Sequence, residues 1–326
     1  MPLARRRLIF FLSAIAAVPL LAQQPARVYR VGVLRPTAPG GEETMTPGIQ
    51  RALRELGYVE GQNLAIDHRF ADNKLDRLPA LAQELVAGKV DVIVAVGSAA
   101  VTAATRASTT VPIVFFGNFD PVKAGFIASI SQPGGNMTGV LIAPDGTLSP
   151  KKVELLAQAV PGTKRMAMLL PDDPNVAREQ LAEVRKTAAG FGIDLFPVEV
   201  RESNYRAAFD KIEQVRAQSL FVASTTFFVR DRRQIIDLAN RYKLPAMYEW
   251  PDQVEDGGLI ALGPSRPAIY ARIAAYIDRI LKGANPGGLP VEQPAKLELV
   301  INLKTAKAIG LTIPQPLLLR ADRLIE

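Results

Sequence analysis

"VIVAVGSAAVTAATR", residues 92–106, changes texture at its middle. Val92 to Val96 is an unbroken apolar run, as expected of a strand covered on both faces. An alanine-rich helical pattern follows at once, over 99–107. Gly97-Ser98 sits at the junction, so a serine falls where a strand turns into a helix. A strand that hands over directly to a helix is the repeating unit of a parallel sheet, because parallel neighbours need a crossover to connect them.

The unit recurs on both sides of this stretch. "VYRVGVL" (28–34) reads as a buried strand, followed by a polar loop and a helix through Ile49, Leu53 and Leu56 that stops at Gly57. "NLAIDHRF" (63–70) is a further strand. Leu78, Leu81, Ala82, Leu85 and Val86 form one helical stripe, with Pro79 in the first turn, where its missing N–H is harmless. "PIVFF" (112–116) is the next strand. The pattern restarts near 149, where Ser149-Pro150 reads as a helix cap followed by proline at the first helical position. Strands are expected at 165–170, 193–200, 219–224, 244–248 and 258–263, and helices at 174–189, 204–217 and 228–242.

The fold class is therefore α/β, with two doubly wound parallel-sheet lobes at 28–140 and 141–263. Ile269, Ile273, Tyr276, Ile277 and Ile280 mark a helix at 265–282, expected to join the first lobe. The tail, 284–326, carries a strand at 296–302 and a short helix at 305–309, and is long enough to cross back between the lobes. Several crossings would make a hinge, with a cleft between the lobes.

Composition narrows the function. The 326 residues are 48% hydrophobic, enough to fill two cores. Cysteine is absent and His68 is the only histidine, so thiolate chemistry, disulfides and imidazole or thiolate metal sites are not expected, and neither is a cofactor. Residues 1–22 have a basic head, Arg5–Arg7, a short apolar centre and a small residue at Ala22, the form of a secretory signal. Three units of the +7 formal charge sit in that head, and the remaining Lys and Arg are dispersed, so nucleic acid is not an expected partner. The expected location is the periplasm.

In open parallel sheets, ligands bind beyond the carboxyl ends of the strands. Ser98 lies at such an end. A Ser-His-Asp nucleophile fails, because no histidine follows Ser98 in the chain and the glycines of a Gly-x-Ser-x-Gly elbow are missing. Two readings stay open: Ser98 caps its own helix, or the helix start at Ser98-Ala99 receives a ligand carboxylate. Asp120, near Asn118, either accepts a ligand ammonium or caps the segment after Pro121. Asp172, Asp173 and Asn175 cluster before a helix, where carboxylates also serve stability alone. Thr226 and Glu249 stand at two more strand ends, Glu249 beside the only tryptophan, Trp250. Arg230, Arg232 and Arg233 read as the solvated face of a helix.

"RELGYVEGQNLAIDHRFAD", "DRLPALAQELV", "VDVIVAVGS", "SISQPGGNMTGV", "LPVEQPAKLELVINLKTAKAIGLTIP" and the closing "RADRLIE" carry a resemblance over about 28–326. The chain resembles the bacterial ABC-transporter substrate-binding proteins of the tryptophan-binding-protein-like group. The resemblance implies a type I periplasmic binding protein with three crossings and no enzymatic step. It implies a monomer that captures an amino acid, aromatic ones in particular, or a related carboxylate, for an inner-membrane ABC permease. A periplasmic sensor that presents its state to a membrane receptor is the alternative. Ser98, Ala99, Asn118 and Asp120 match ligand-contacting loops of that group. Asp173, Asn175, Thr226 and Glu249 match by loop position. Relatives commonly have Gly-Asp-Pro-Val after the fourth strand, where this chain has Asn118-Phe119-Asp120-Pro121-Val122, so Phe119 is expected to reshape the pocket wall.

Overall fold

The computed structural model describes residues 27–39, 45–143, 148–172, 174–201, 203–293 and 296–326, with backbone alone at 174–179. The expected export signal at 1–22 lies outside the described residues.

Five strands form the first sheet: β1 (Tyr29–Arg35), β2 (Leu64–Phe70), β3 (Val92–Val96), β4 (Ile113–Gly117) and β5 (Met137–Leu141). Their order is β2-β1-β3-β4-β5 and every pairing is parallel. β3 and β4 are buried at every position, as their unbroken apolar runs require. One face of the sheet packs on α1 (Met45–Glu55) and α10 (Arg266–Leu281), the other on α2 (Leu78–Ala87) and α3 (Gly97–Ala107). Gly48 of α1 lies against Tyr270 of α10, where a Cβ would come within 2.1 Å of the ring. The missing side chain lets the two helices approach.

The second sheet repeats this order. β6 (Arg165–Pro171), β7 (Asp194–Val200), β8 (Ser219–Val222), β9 (Ala246–Tyr248) and β10 (Ile260–Pro264) run β7-β6-β8-β9-β10, again all parallel. The tail then adds β11 (Leu297–Asn302), antiparallel to β10, and β12 (Arg323–Ile325), parallel to β11. The second sheet is thus mixed at that edge rather than purely parallel. One continuous core joins it to α4 (Leu148–Ala159), α5 (Pro174–Gly190), α6 (Tyr205–Gln214) and α8 (Arg232–Arg241).

The chain passes between the sheets three times. At the first passage Ile142 belongs to the first lobe's core and Ala143 to the second's. The second lies between β10 and α10. The third follows Glu292, which bonds back to β5 through Leu141 N and Gly139 O before the chain enters β11.

Two local expectations are corrected, and two elements appear that the sequence pattern did not announce. β5 has no apolar run longer than two residues. It is held by partners far along the chain, including the buried Thr138, which donates to Leu289 O at 2.8 Å. The helix expected at 228–242 is two, α7 (Thr226–Arg230) and α8, broken at Asp231. The Asp231 carboxylate takes bonds from Arg230 (2.5 Å) and from the Tyr205 hydroxyl (2.6 Å), which fix it in a non-helical conformation. A short helix, α9 (Pro251–Glu255), follows β9 unannounced. Ser149 is the second described residue of α4, inside the helix rather than at its cap.

Candidate ligand-binding site

A cavity of about 130 Å³ opens between the carboxyl ends of the two sheets. At ~10–15 Å³ per water position it holds on the order of ten such positions, the scale of one amino acid. The loops after β1, β3, β4, β8 and β9 line it, and α10 adds Arg266 and Tyr270.

On the first-lobe wall, α3 begins one residue ahead of Ser98. Val96 is the extended N-cap, Gly97 turns the chain with φ 81°, and no side chain caps the helix. Only glycine takes that turn without strain. Ser98 is therefore not the cap, and its hydroxyl is not used in one. Gly97, Ser98 and Ala99 all face the cavity. The first N–H groups of a helix have no intrahelical acceptor and carry partial positive charge, so this wall suits an anion. Asn118 and Phe119 follow β4 and also line the cavity. Phe119 packs on Phe115 and Phe126, and its ring covers Gly117, where a Cβ would meet it at 2.9 Å.

On the second-lobe wall, Thr225 caps α7 by accepting from Phe227 N, and Thr226 opens the helix at the cavity. Glu249 lies just beyond the end of β9 and is only 5% exposed. Its Oε1 has no hydrogen-bond partner, although the residue lines the cavity. Lys152 Nζ of α4, equally buried, stands 3.9 Å from that oxygen. Burial pushes the Glu249 carboxyl up, against the pull of Lys152 and Arg266; burial pushes Lys152 down, against Glu249. Beside Glu249, the Trp250 indole packs on Phe116 at 6.4 Å and lies under the Arg266 guanidinium at 4.4 Å. Arg266 is itself paired with Asp252 at 2.9 Å.

Five expected contacts, Ser98, Ala99, Asn118, Thr226 and Glu249, thus surround one space. Asp120 does not line it: its Oδ1 accepts from Val122 N and Lys123 N, each at 3.0 Å. Burial would raise the Asp120 carboxyl, but the bonds from Lys123 and Val122 outweigh it and hold it low. Asp173 and the side chain of Asn175 lie outside the described residues.

Other lining residues were not legible locally. Arg230 is not on a solvated face; its side chain is 14% exposed and lines the cavity. Arg232 is buried against Asp256 at 2.6 Å, and only Arg233 is largely exposed. Arg35, at the end of β1, is lowered by burial to about 10, with Tyr270 opposing, so it stays charged at neutral pH. The described lining holds three arginines and one acid, Glu249. The strand-end rule could have pointed to Arg35; nothing in the sequence near Tyr270 or Arg266 signals a site.

The comparisons agree with this fold. A solved structure from Vibrio cholerae O1 biovar El Tor, described as a conserved domain protein, is 26% identical. It covers 91% of this chain and 100% of its own, with a TM-score of 0.81. A Streptococcus pneumoniae ABC domain solved in complex with L-Trp is 24% identical over 91% of this chain and 100% of its own, with a TM-score of 0.79. The tyrosine-binding protein of Clostridioides difficile (strain R20291) is 25% identical over 266 residues, covering 81% of this chain and 76% of that protein. The model of the family described as ABC transporter substrate binding protein matches residues 30–325, and the chain belongs to that family.

Proposed function

We propose that this chain is the exported, periplasmic binding component of an ABC importer, and that its ligand is an amino acid with an aromatic side chain. One observation carries the reading: an uncapped helix start and a buried acid, Glu249, line one amino-acid-sized cavity from opposite lobes. The ligand carboxylate sits at Ser98 and Ala99, against the N-terminus of α3. Such a contact contributes about 0.3–1 kcal/mol when exposed and up to about 2 when partly buried. The ligand ammonium meets Glu249. Asn118 and Thr226 complete the polar frame. Phe116, Phe227, Trp250 and Tyr270 offer the apolar surface for a ring. The tyrosine named for one relative and the L-Trp bound by another are consistent with such a ring.

No covalent step is needed. Closure of the lobes follows from better binding to the closed state, and the closed form is what a membrane permease would receive. The test is thermal denaturation with each amino acid, with 3-(4-hydroxyphenyl)propionate as the analogue lacking the amine. A true ligand at about 100 times its Kd adds about 2.7 kcal/mol. Stabilisation by tyrosine or tryptophan and not by the des-amino acid supports the reading. No stabilisation by any amino acid defeats it.

A further inference from the structure

Lys152 is a fully buried lysine that the binding scheme leaves without a task. It sits in the first turns of α4, just past the first passage between lobes, with its side chain 4% exposed. Among the described residues its nearest charge is Glu249, and 3.9 Å is too long for a hydrogen bond. Glu249 Oε1 has no other partner. Glu249 is among the residues that line the cavity and Lys152 is not; the carboxylate oxygen nearest Lys152, Oε1, is itself buried.

This is an incomplete ion pair. Burial favours the neutral amine of a lysine at this depth, and the nearby Glu249 carboxylate opposes that loss of charge. A ligand ammonium arriving at Glu249 puts a second cation beside one carboxylate, in a site with little water to screen it. The newcomer can close hydrogen bonds with the carboxylate, which Lys152 at 3.9 Å does not. Lys152 is the cation that yields.

We propose that Lys152 is the built-in counter-cation of the empty site, and that capture of an ammonium-bearing ligand expels its proton to solvent. The ammonium of Lys152 becomes an amine, one N–H bond is broken, and its electron pair stays on nitrogen. The inference rests on the reading of Glu249 as the ammonium acceptor.

Among the described side chains there are few rivals for the proton. α4 packs on β8, β9, β10, α5 and the short helix Gln315–Leu318. β8, β10 and that short helix carry no ionisable side chain. On α4 itself Lys151 pairs with Glu154 at 2.7 Å. β9 brings Tyr248 and, just past its end, Glu249; the described side chains of α5 bring Glu183, Arg185 and Lys186. Of these, Glu249 is the one that acts on Lys152, and Lys152 and Arg266 are the cations that act on Glu249. Arg266 cannot release a proton near neutral pH.

The experiment is calorimetric titration of the protein with L-tyrosine and L-tryptophan, in two buffers of different ionisation enthalpy. The expected result is about one proton released per ligand bound near pH 7, and an affinity that rises up to about tenfold per pH unit between about 6 and 8. Lys152→Arg, whose guanidinium keeps its proton, is expected to bind more weakly and to release none. Binding by the unaltered protein with no proton release and a flat pH profile overturns the inference and leaves the ligand reading intact. Failure to bind either amino acid overturns both. The measurement on the unaltered protein decides the matter even where Lys152→Arg does not fold.

Discussion

Arg230 Nη1 donates to Asn73 Oδ1 at 2.7 Å, joining residues 157 apart in the chain. Arg230 ends α7 in the second lobe; Asn73 follows β2 in the first. Val229, next to Arg230, packs on the first lobe's core. The bond therefore ties the lobes together at the rim of the cavity. Asp72 and Asn73 both have positive φ, 54° and 64°, so the turn that presents Asn73 is left-handed. Asn73→Gly keeps that backbone conformation and removes only the acceptor. A hydrogen bond to a charged group contributes about 1.5–3 kcal/mol, and its exposure puts this one near the lower bound. Stopped-flow release is expected to be roughly tenfold faster in Asn73→Gly, with melting of the ligand-free protein little changed. Equal release rates would show that the bond does not hold the lobes shut.

Two substitutions at Ser98 separate helix from ligand. Ser98→Asp places a carboxylate in the first turn of α3, which favours the helix by about 0.3–1 kcal/mol. The same charge repels a ligand carboxylate. The expected outcome is a ligand-free melting temperature equal to or above that of the unaltered protein, with binding lost. Ser98→Ala keeps the backbone donors and removes one hydroxyl, so affinity is expected to fall only about two- to tenfold. A Ser98→Asp protein that still binds amino acids would move the carboxylate elsewhere in the cavity.

Gly263 of β10 supports Glu249 from below. A Cβ at 263 would lie 1.8 Å from the Glu249 carbonyl oxygen, an overlap that only backbone movement relieves. Gly263→Ala is expected to cost about 1–3 kcal/mol in urea unfolding. Ligand affinity should fall with it, because the displaced segment carries Glu249 and Trp250. Gly162→Ala, in a turn with φ 82° and open space around it, is the control. It should lose stability from backbone strain yet keep affinity. Loss of affinity in both variants would mean that general destabilisation, not the position of Glu249, governs binding.

His68 makes stability depend on pH. Its Nδ1 is buried without a partner, and burial, then Arg35, hold its pKa below 6.5. As pH falls through 6.5 the unfolded chain takes up the proton first, so this contribution is full above 6.5 and is lost below it. His68→Gln removes the titration. The urea midpoint of the unaltered protein should fall below about pH 6.5 more steeply than that of His68→Gln. Parallel pH profiles would show that the native and unfolded chains protonate His68 alike.

Much of the fold was legible because it is written in short-range patterns. The junction at Val96-Gly97-Ser98, the stripe from Leu78 to Val86 and the apolar runs of β1, β3, β4 and β6 each show their periodicity within a few residues. Buried side chains repeat every second residue in strands and about every 3.6 in helices, wherever they pack. Alternation of the two fixes an α/β chain with parallel sheets. The strand-end rule then named the loops that hold Ser98, Asn118, Thr226 and Glu249.

What the pattern could not carry was the identity of distant partners. β5 exists because Thr138 and Gly139 meet Leu289, Glu292 and Phe115. The break at Asp231 needs the hydroxyl of Tyr205. Arg230 looked solvent-facing until the fold set Asn73 beside it. Lys152 carries no signal in its own segment, and its meaning comes from a 3.9 Å separation from Glu249 inside the second lobe. Local sequence determines which backbone conformation each segment prefers, because that free energy depends on near neighbours. Which charges are stripped of water together depends on packing between segments far apart, and only the tertiary structure decides it.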